Sequence, residues 1–269
     1  MKPSRYILSF MLSISATLIT IINAQEHNSA DLQKIIKENI TKDSISEKKY
    51  KPLDFKLQVK NMHLWRGFRV TDAPMTAADV FFTSKNGKFK AGLWGGAGFN
   101  GDYTEFDYYI NYSSGGFSFS LWDINNFSDF PDAEIFDYDI NTTSHFVDLT
   151  AAYSFKKVPI SVSWTTILLG RDTFINKSGK KENAFTHYVQ LNSTIYKNEH
   201  SSLDIFIAGA FSFASNDKHF YGEDFLNNFG ITYHKEVNVL NLIYLPVSAT
   251  AMWNPDLKHG GIQVAVDLF

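Results

Sequence analysis

From Phe55 onward the chain alternates apolar and polar positions with a period of two, and it keeps this rhythm almost to its end. In the stretch 104–112, Phe106, Tyr108, Ile110 and Tyr112 fall on one face, and Glu105, Asp107, Tyr109 and Asn111 on the other. Further on, Val147, Leu149, Ala151 and Tyr153 oppose Asp148, Thr150, Ala152 and Ser154, and Ile160, Val162 and Trp164 oppose Ser161, Ser163 and Thr165. The pattern predicts twelve strands, at 55–66, 76–85, 88–99, 103–113, 116–125, 144–155, 158–169, 184–197, 201–213, 224–235, 239–253 and 260–269, with ten and fourteen as the neighbouring even counts. Most are about 10–14 residues long, the reach a tilted strand needs to cross a bilayer, whereas strands of soluble proteins usually have about 5–6. No helical segment falls between them, which excludes an α/β fold.

The connections sort by parity. Every second one is short, at 85–88, 113–116, 156–157, 197–200 and 235–238, while 126–143, 170–183 and 214–223 are long. Short turns alternating with longer loops on an even strand count is the layout of an up-and-down antiparallel transmembrane barrel with both termini in the periplasm. Asn86-Gly87 supplies a hairpin turn by its own chemistry, since both residues tolerate positive φ. The last strand closes on Leu268-Phe269; an aromatic terminus of this kind is what the barrel-assembly machinery recognises, although Phe269 is out of phase with Ile262, Val264, Val266 and Leu268.

The N-terminal part breaks the pattern. Lys2 and Arg5 precede a nearly uncharged apolar run from Tyr6 to Ile22, and Asn23-Ala24 offers a small residue for cleavage. Residues 1–24 therefore read as a signal peptide, the alternative being a single membrane-anchoring helix. The segment 25–52 reads as a periplasmic extension, with Leu32, Ile35, Ile36 and Ile40 at helical spacing, either leading to the first strand or tucked into the barrel mouth. The barrel then occupies 53–269.

Composition agrees with a barrel. The 269 residues are 44% hydrophobic and 20% charged, too polar for a bundle of membrane helices, yet 16% are aromatic, which suits a lipid-facing wall with interface girdles. There is no cysteine, so disulfides, thiolate metal sites and cysteine nucleophiles are excluded. The formal charge of -3 contains no basic run, and no nucleic-acid partner is expected. No cofactor is expected either.

The stretches Leu64-Trp-Arg-Gly67, Gly87-Lys-Phe-Lys-Ala-Gly-Leu-Trp-Gly-Gly96 and Glu105-Phe-Asp-Tyr-Tyr-Ile110 occur in the order aromatic-Arg-Gly, Gly-rich Trp strand, acidic-aromatic strand. In this the region from about Leu57 to Ile124 resembles the TorF-type family of porin-like outer-membrane proteins. The resemblance implies a porin-like barrel whose solute is undefined.

Phase places Lys56, Lys60 and Arg66 on the lumen face of the first strand, Asp79 on the second, and Glu105, Asp107, Tyr109 and Asn111 on the fourth, with Asp148, Asp204 and Asp267 beyond. A lysine or arginine at the lipid midplane costs about 2–4 kcal/mol, so these charges belong inside. They make either a solute-selecting pore lining, with Trp65, Tyr109 and Trp122 stacking on a sugar or nucleoside, or an internal ion-pair network that plugs a narrow barrel.

An enzyme of the outer-membrane lipase or deacylase type would use a Ser-His pair on the barrel's outer surface. Ser144-His145 is the only pair adjacent in the order Ser-His, and neighbours in a regular strand point to opposite faces. His187, His219 and His234 are scattered, and the acidic loop 129–139 reads as a solvated surface rather than a calcium site. The expected partners are outer-membrane lipid and small hydrophilic solutes crossing by passive diffusion. An adhesive or scaffolding barrel is the alternative.

Overall fold

The computed structural model describes residues 50–215 and 219–269. The signal peptide and nearly all of the 25–52 extension lie outside the described residues. Sixteen strands follow in chain order: β1 (Leu53–Lys60), β2 (His63–Trp65), β3 (Phe68–Thr71), β4 (Met75–Thr83), β5 (Phe89–Gly98), β6 (Thr104–Ser114), β7 (Phe117–Asn125) and β8 (His145–Ser154). The second half adds β9 (Ile160–Gly170), β10 (Thr173–Ile175), β11 (Lys181–Asn183), β12 (His187–Lys197), β13 (Ser201–Phe211), β14 (Leu226–Val239), β15 (Ile243–Asn254) and β16 (His259–Asp267). Twelve of them, β1, β4–β9 and β12–β16, form one closed antiparallel barrel; β2–β3 and β10–β11 are separate two-stranded sheets in the loops.

Closure satisfies every strand edge, which is what a β structure in lipid requires. The seam is the shortest pairing in the barrel, with Gln58, Val59 and Lys60 against Asp267, Val266 and Ala265. Side chains reinforce it. Gln58 Nε2 donates to Asp267 Oδ1 at 2.6 Å, and Asn61 brackets β16, its Nδ2 donating to Ile262 O while its Oδ1 accepts from Val264 N. Phe269 packs its ring 5.7 Å from Phe55 across the same seam.

The outward positions line up from strand to strand. Phe82, Ala91, Ile110, Leu121 and Leu149 are successive register partners on β4 to β8, and Val80, Leu93 and Tyr108 form the next row. Most of these side chains are exposed. An apolar band of this extent, continued by Trp164, Leu191, Ile205, Ile231 and Ile262, is unfavourable against water and is the surface a bilayer accepts.

Turns at the end where β1 begins and β16 finishes are tight. Gly115 and Gly116 have φ of 65° and 96°, the left-handed pair of a two-residue hairpin. Two expectations need correction. The first strand does not run through 66: β1 stops at Lys60, where the chain turns inward, and Arg66 stands on a separate hairpin. The tenth connection is not at 235–238, because β14 and β15 stay paired out to Val239 and Ile243, and the turn falls at 240–242.

Candidate functional site

The feature that defines the lumen is the β2–β3 hairpin. Trp65 pairs with Phe68 around a two-residue turn in which Arg66 has φ of 44° and Gly67 of 91°. Glycine is at ease there; arginine is not, and such a position costs an L-residue about 1–2 kcal/mol. Gly67 is further confined, since a Cβ would sit 2.6 Å from Asn227 O. The hairpin carries Leu64, Trp65, Phe68 and Val70, a load of apolar surface that gains by leaving water. It does so by folding into the barrel.

Its contacts reach around most of the circumference. Val70 packs with Met75, Ala77 and Tyr103 beside β4 and β5. Trp65 and Phe68 pack against inward-facing Ile124, Phe146, Ile167 and Tyr188 of β7, β8, β9 and β12. Tyr221 and Phe220, from the loop between β13 and β14, fill in above, with Phe68 and Tyr221 stacked at 5.7 Å. On the far side Gly67 O accepts from Asn254 Nδ2 at 3.1 Å and from His259 Nε2 at 2.9 Å, and Leu64 N donates to Gln263 Oε1. The hairpin therefore fills the cross-section of this end of the barrel.

Arg66 is the latch. Its Nη1 donates to Asp148 Oδ2 at 2.8 Å and to Tyr221 OH at 2.9 Å, and its guanidinium lies 4.7 Å from the Trp65 ring and 5.6 Å from Tyr188. Asp148 Oδ1, equally buried, has no hydrogen-bond partner among the described residues. Beneath the hairpin lies a cavity of about 380 Å³ lined by Lys60, His63, Trp65, Arg66, Trp94, Glu105, Asp107, Ser120, Trp122, Ile124, Asp148 and Thr150.

The sequence-derived candidates sit as follows. Lys56 is exposed and pairs in register with Asp79. Lys60 is buried, its Nζ 3.4 Å from His63 Nδ1 and 5.9 Å from the Trp94 ring. Asp79 accepts from Lys90 Nζ at 3.1 Å and from Tyr109 OH at 2.8 Å, and Tyr109 stacks on Trp122 at 4.2 Å. Gly92 makes room for that tyrosine, since a Cβ there would press on its ring. Glu105 accepts from Asn126 Nδ2, Asp107 from Asn125 N, and Asn111 from Ser113 Oγ. Asp204 and Asp267 lie on other walls, toward the end where β1 begins and β16 finishes. The cavity thus gathers Lys60, Arg66, Glu105, Asp107 and Asp148, and leaves Lys56, Asp79, Tyr109 and Asn111 outside it.

Sequence reasoning missed Trp94, Tyr221, Asn254 and His259. Trp94 was within sight, as an aromatic on the polar face of a Gly-rich strand. The others act through loop placement that no periodicity encodes. The three stretches that carry the family resemblance contribute Trp65 and Arg66, Trp94, and Glu105 and Asp107, so they meet at this one cavity.

A second polar cluster faces outward. Asp123 Oδ1 is 2.7 Å from His145 Nδ1, Asp123 Oδ2 accepts from Tyr138 OH at 2.6 Å, and Tyr138 bonds Tyr108. Ser144 donates its hydroxyl to Asn125 rather than to His145. The cluster ties the loop 126–144 to the outer wall and gives the Asp123 carboxylate hydrogen-bond partners on the outward face.

No family model and no curated protein matches the chain. Among solved structures, it is similar to the NanC porin at 8% identity and a TM-score of 0.46, covering 80% of this chain and 98% of that one. It is also similar to the translocator domain of the autotransporter NalP from Neisseria meningitidis at 10% identity and a TM-score of 0.35, over 90% and 95% of the two chains. OmpF of Salmonella typhi, in complex with daunomycin, aligns at 9% identity and a TM-score of 0.33, over 80% and 96%.

Proposed function

We propose that this chain is a porin-like channel of a Gram-negative outer membrane, admitting small hydrophilic solutes by passive diffusion, and that the β2–β3 hairpin is its gate. The observation that carries the reading is the charged cavity directly beneath the hairpin. A barrel built only as a scaffold gains nothing from gathering Lys60, Glu105 and Asp107 around a cavity, because withdrawing charge from water costs free energy that packed apolar residues would not. The apolar outer band, the resemblance to the TorF-type family and the signal-peptide reading of residues 1–24 support the location. Outer-membrane lipid and the assembly machinery are then its partners. The driving force is the solute gradient, so no cofactor enters.

A second reading, a plugged structural or surface-binding barrel, is favoured by the filled cross-section at the hairpin. Planar-bilayer conductance separates the two. It requires the mature protein, a form lacking residues 25–52, and a form with residues 62–73 replaced by a short glycine linker. Stable current steps in the hairpin-excised form, with rare or smaller ones in the intact protein, support the gated channel. Silence of all three, in protein shown to be folded and inserted, moves the assignment to the plugged barrel. Steps that appear only on removing 25–52 would make that segment the plug instead.

A further inference from the structure

We infer that the cavity beneath the hairpin is a binding site for a neutral carbohydrate of one or two sugar rings; the inference rests on the channel reading and names its solute class. The chain has five tryptophans, and three of them, Trp65, Trp94 and Trp122, line this one cavity. The other two, Trp164 and Trp253, are exposed on the outer wall. The indoles are held from behind. Trp122 is stacked on Tyr109, Trp94 on His63, and Trp65 on Phe68. Fixed flat apolar faces suit the C–H faces of a sugar ring, which bury against them without losing rotamer freedom.

The polar lining faces the other way in chemical terms, toward hydroxyl groups. Glu105 and Asp107 are acceptors, and Ser120 and Thr150 both accept and donate. The lining mixes both signs, three carboxylates with Lys60 and Arg66, so it offers no single-sign field to select an anion or a cation. A ligand with many hydroxyls and no net charge satisfies both signs at once. The volume of about 380 Å³ lies at the small end of ligand cavities, which suits one or two rings and not a longer oligosaccharide.

The test is binding, measured apart from transport. The mature, detergent-folded protein is titrated with D-glucose and with maltose by calorimetry and by tryptophan emission, with choline and acetate as the charged comparators. Saturable binding of at least one sugar is expected, and neither comparator should compete. Trp122→Ala should weaken it about tenfold, equivalent to about 1.4 kcal/mol. Thr150→Val, a gentler change, should weaken it severalfold, and Trp253→Phe on the outer wall should leave it unchanged. Absence of saturable sugar binding to folded protein, or binding indifferent to Trp122→Ala and Thr150→Val, overturns the inference. Saturable choline binding in place of sugar assigns the site to an organic cation and overturns it too. Liposome swelling keeps the two claims separate: sugar that binds but does not permeate sinks the diffusion reading alone, and sugar that permeates without binding sinks this one alone.

Discussion

The two ends of the lumen are built from the same alternating strands and differ in almost everything else. Toward the start of β1 and the end of β16, polar inward side chains satisfy one another along the wall: Asp79 with Lys90 and Tyr109, Gln58 with Asp267, Asp204 with Thr194 and His234. They leave a polar recess of about 370 Å³ whose lining includes Gln58, His234, Ser248 and Asp267. At the opposite end the inward positions turn apolar, with Ile124, Phe146, Ile167 and Ala208 buried against the hairpin. The rule of apolar outside and polar inside holds where the lumen stays wet, and it reverses where a second element packs into it. The reversal is the signature of a plug.

Excising residues 62–73 is the most severe change. That removes the partner of the apolar wall and should convert rare current steps into a continuously open state. Conductance should rise by an order of magnitude or more, and the heat-resistance of the folded form on gels should fall. Asp148→Ala is next. It strands the Arg66 guanidinium in a site where little water reaches it, and losing one partner of a buried pair costs about 3–5 kcal/mol. The hairpin should undock more often, read as a higher open probability. Arg66→Gly would differ, since it removes the latch but also relieves the backbone at φ of 44°, so its opening effect should be smaller.

Changes at the polar end should be milder. Tyr109→Phe removes one hydrogen bond to Asp79, worth about 1 kcal/mol, and frees Lys90 as the chief partner of that carboxylate. Gating should stay as it was, while reversal potentials in a salt gradient shift slightly toward cations, because a carboxylate loses part of its satisfaction. Gln58→Ala, at the seam, should lower thermal stability by a similar amount and leave selectivity unchanged. If Tyr109→Phe opened the channel as Asp148→Ala does, the division of labour between the two ends would be wrong.

Most of the barrel was legible in the sequence because period-two alternation is a local signal. Thr104 to Tyr112 reads as β6 directly, and the parity of loop lengths places the turns. The first strand misled for a physical reason. The residues 63–65 continue an apolar rhythm after Lys60, and nothing local distinguishes a strand that goes on from one that turns inward at Asn61. Arg66 was placed in the lumen by phase and stands there by a different route, at the tip of a hairpin. The inward apolar residues Ile124 and Phe146 did carry a hint, each sharing a face with polar neighbours such as Ser120 and Asp148. It became readable only with the hairpin in view. Tyr221, Asn254 and His259 left no such trace, since their role depends on where loops converge.

The central claim is that the β2–β3 hairpin closes the lumen and must move for solute to pass. The chain has no cysteine, so a designed pair stands alone. Leu64 lies against Gly261 of β16, where a Cβ would press on its Cδ2, and Leu64→Cys with Gly261→Cys, once thiol titration shows the disulfide formed, ties the hairpin to the wall. Single-channel recording of this double variant, oxidised and then reduced in the same membrane, is the direct test. The account predicts silence when oxidised and recovery of current steps on reduction. Equal conductance in the two states would show that solute passes without the hairpin moving, and would contradict it.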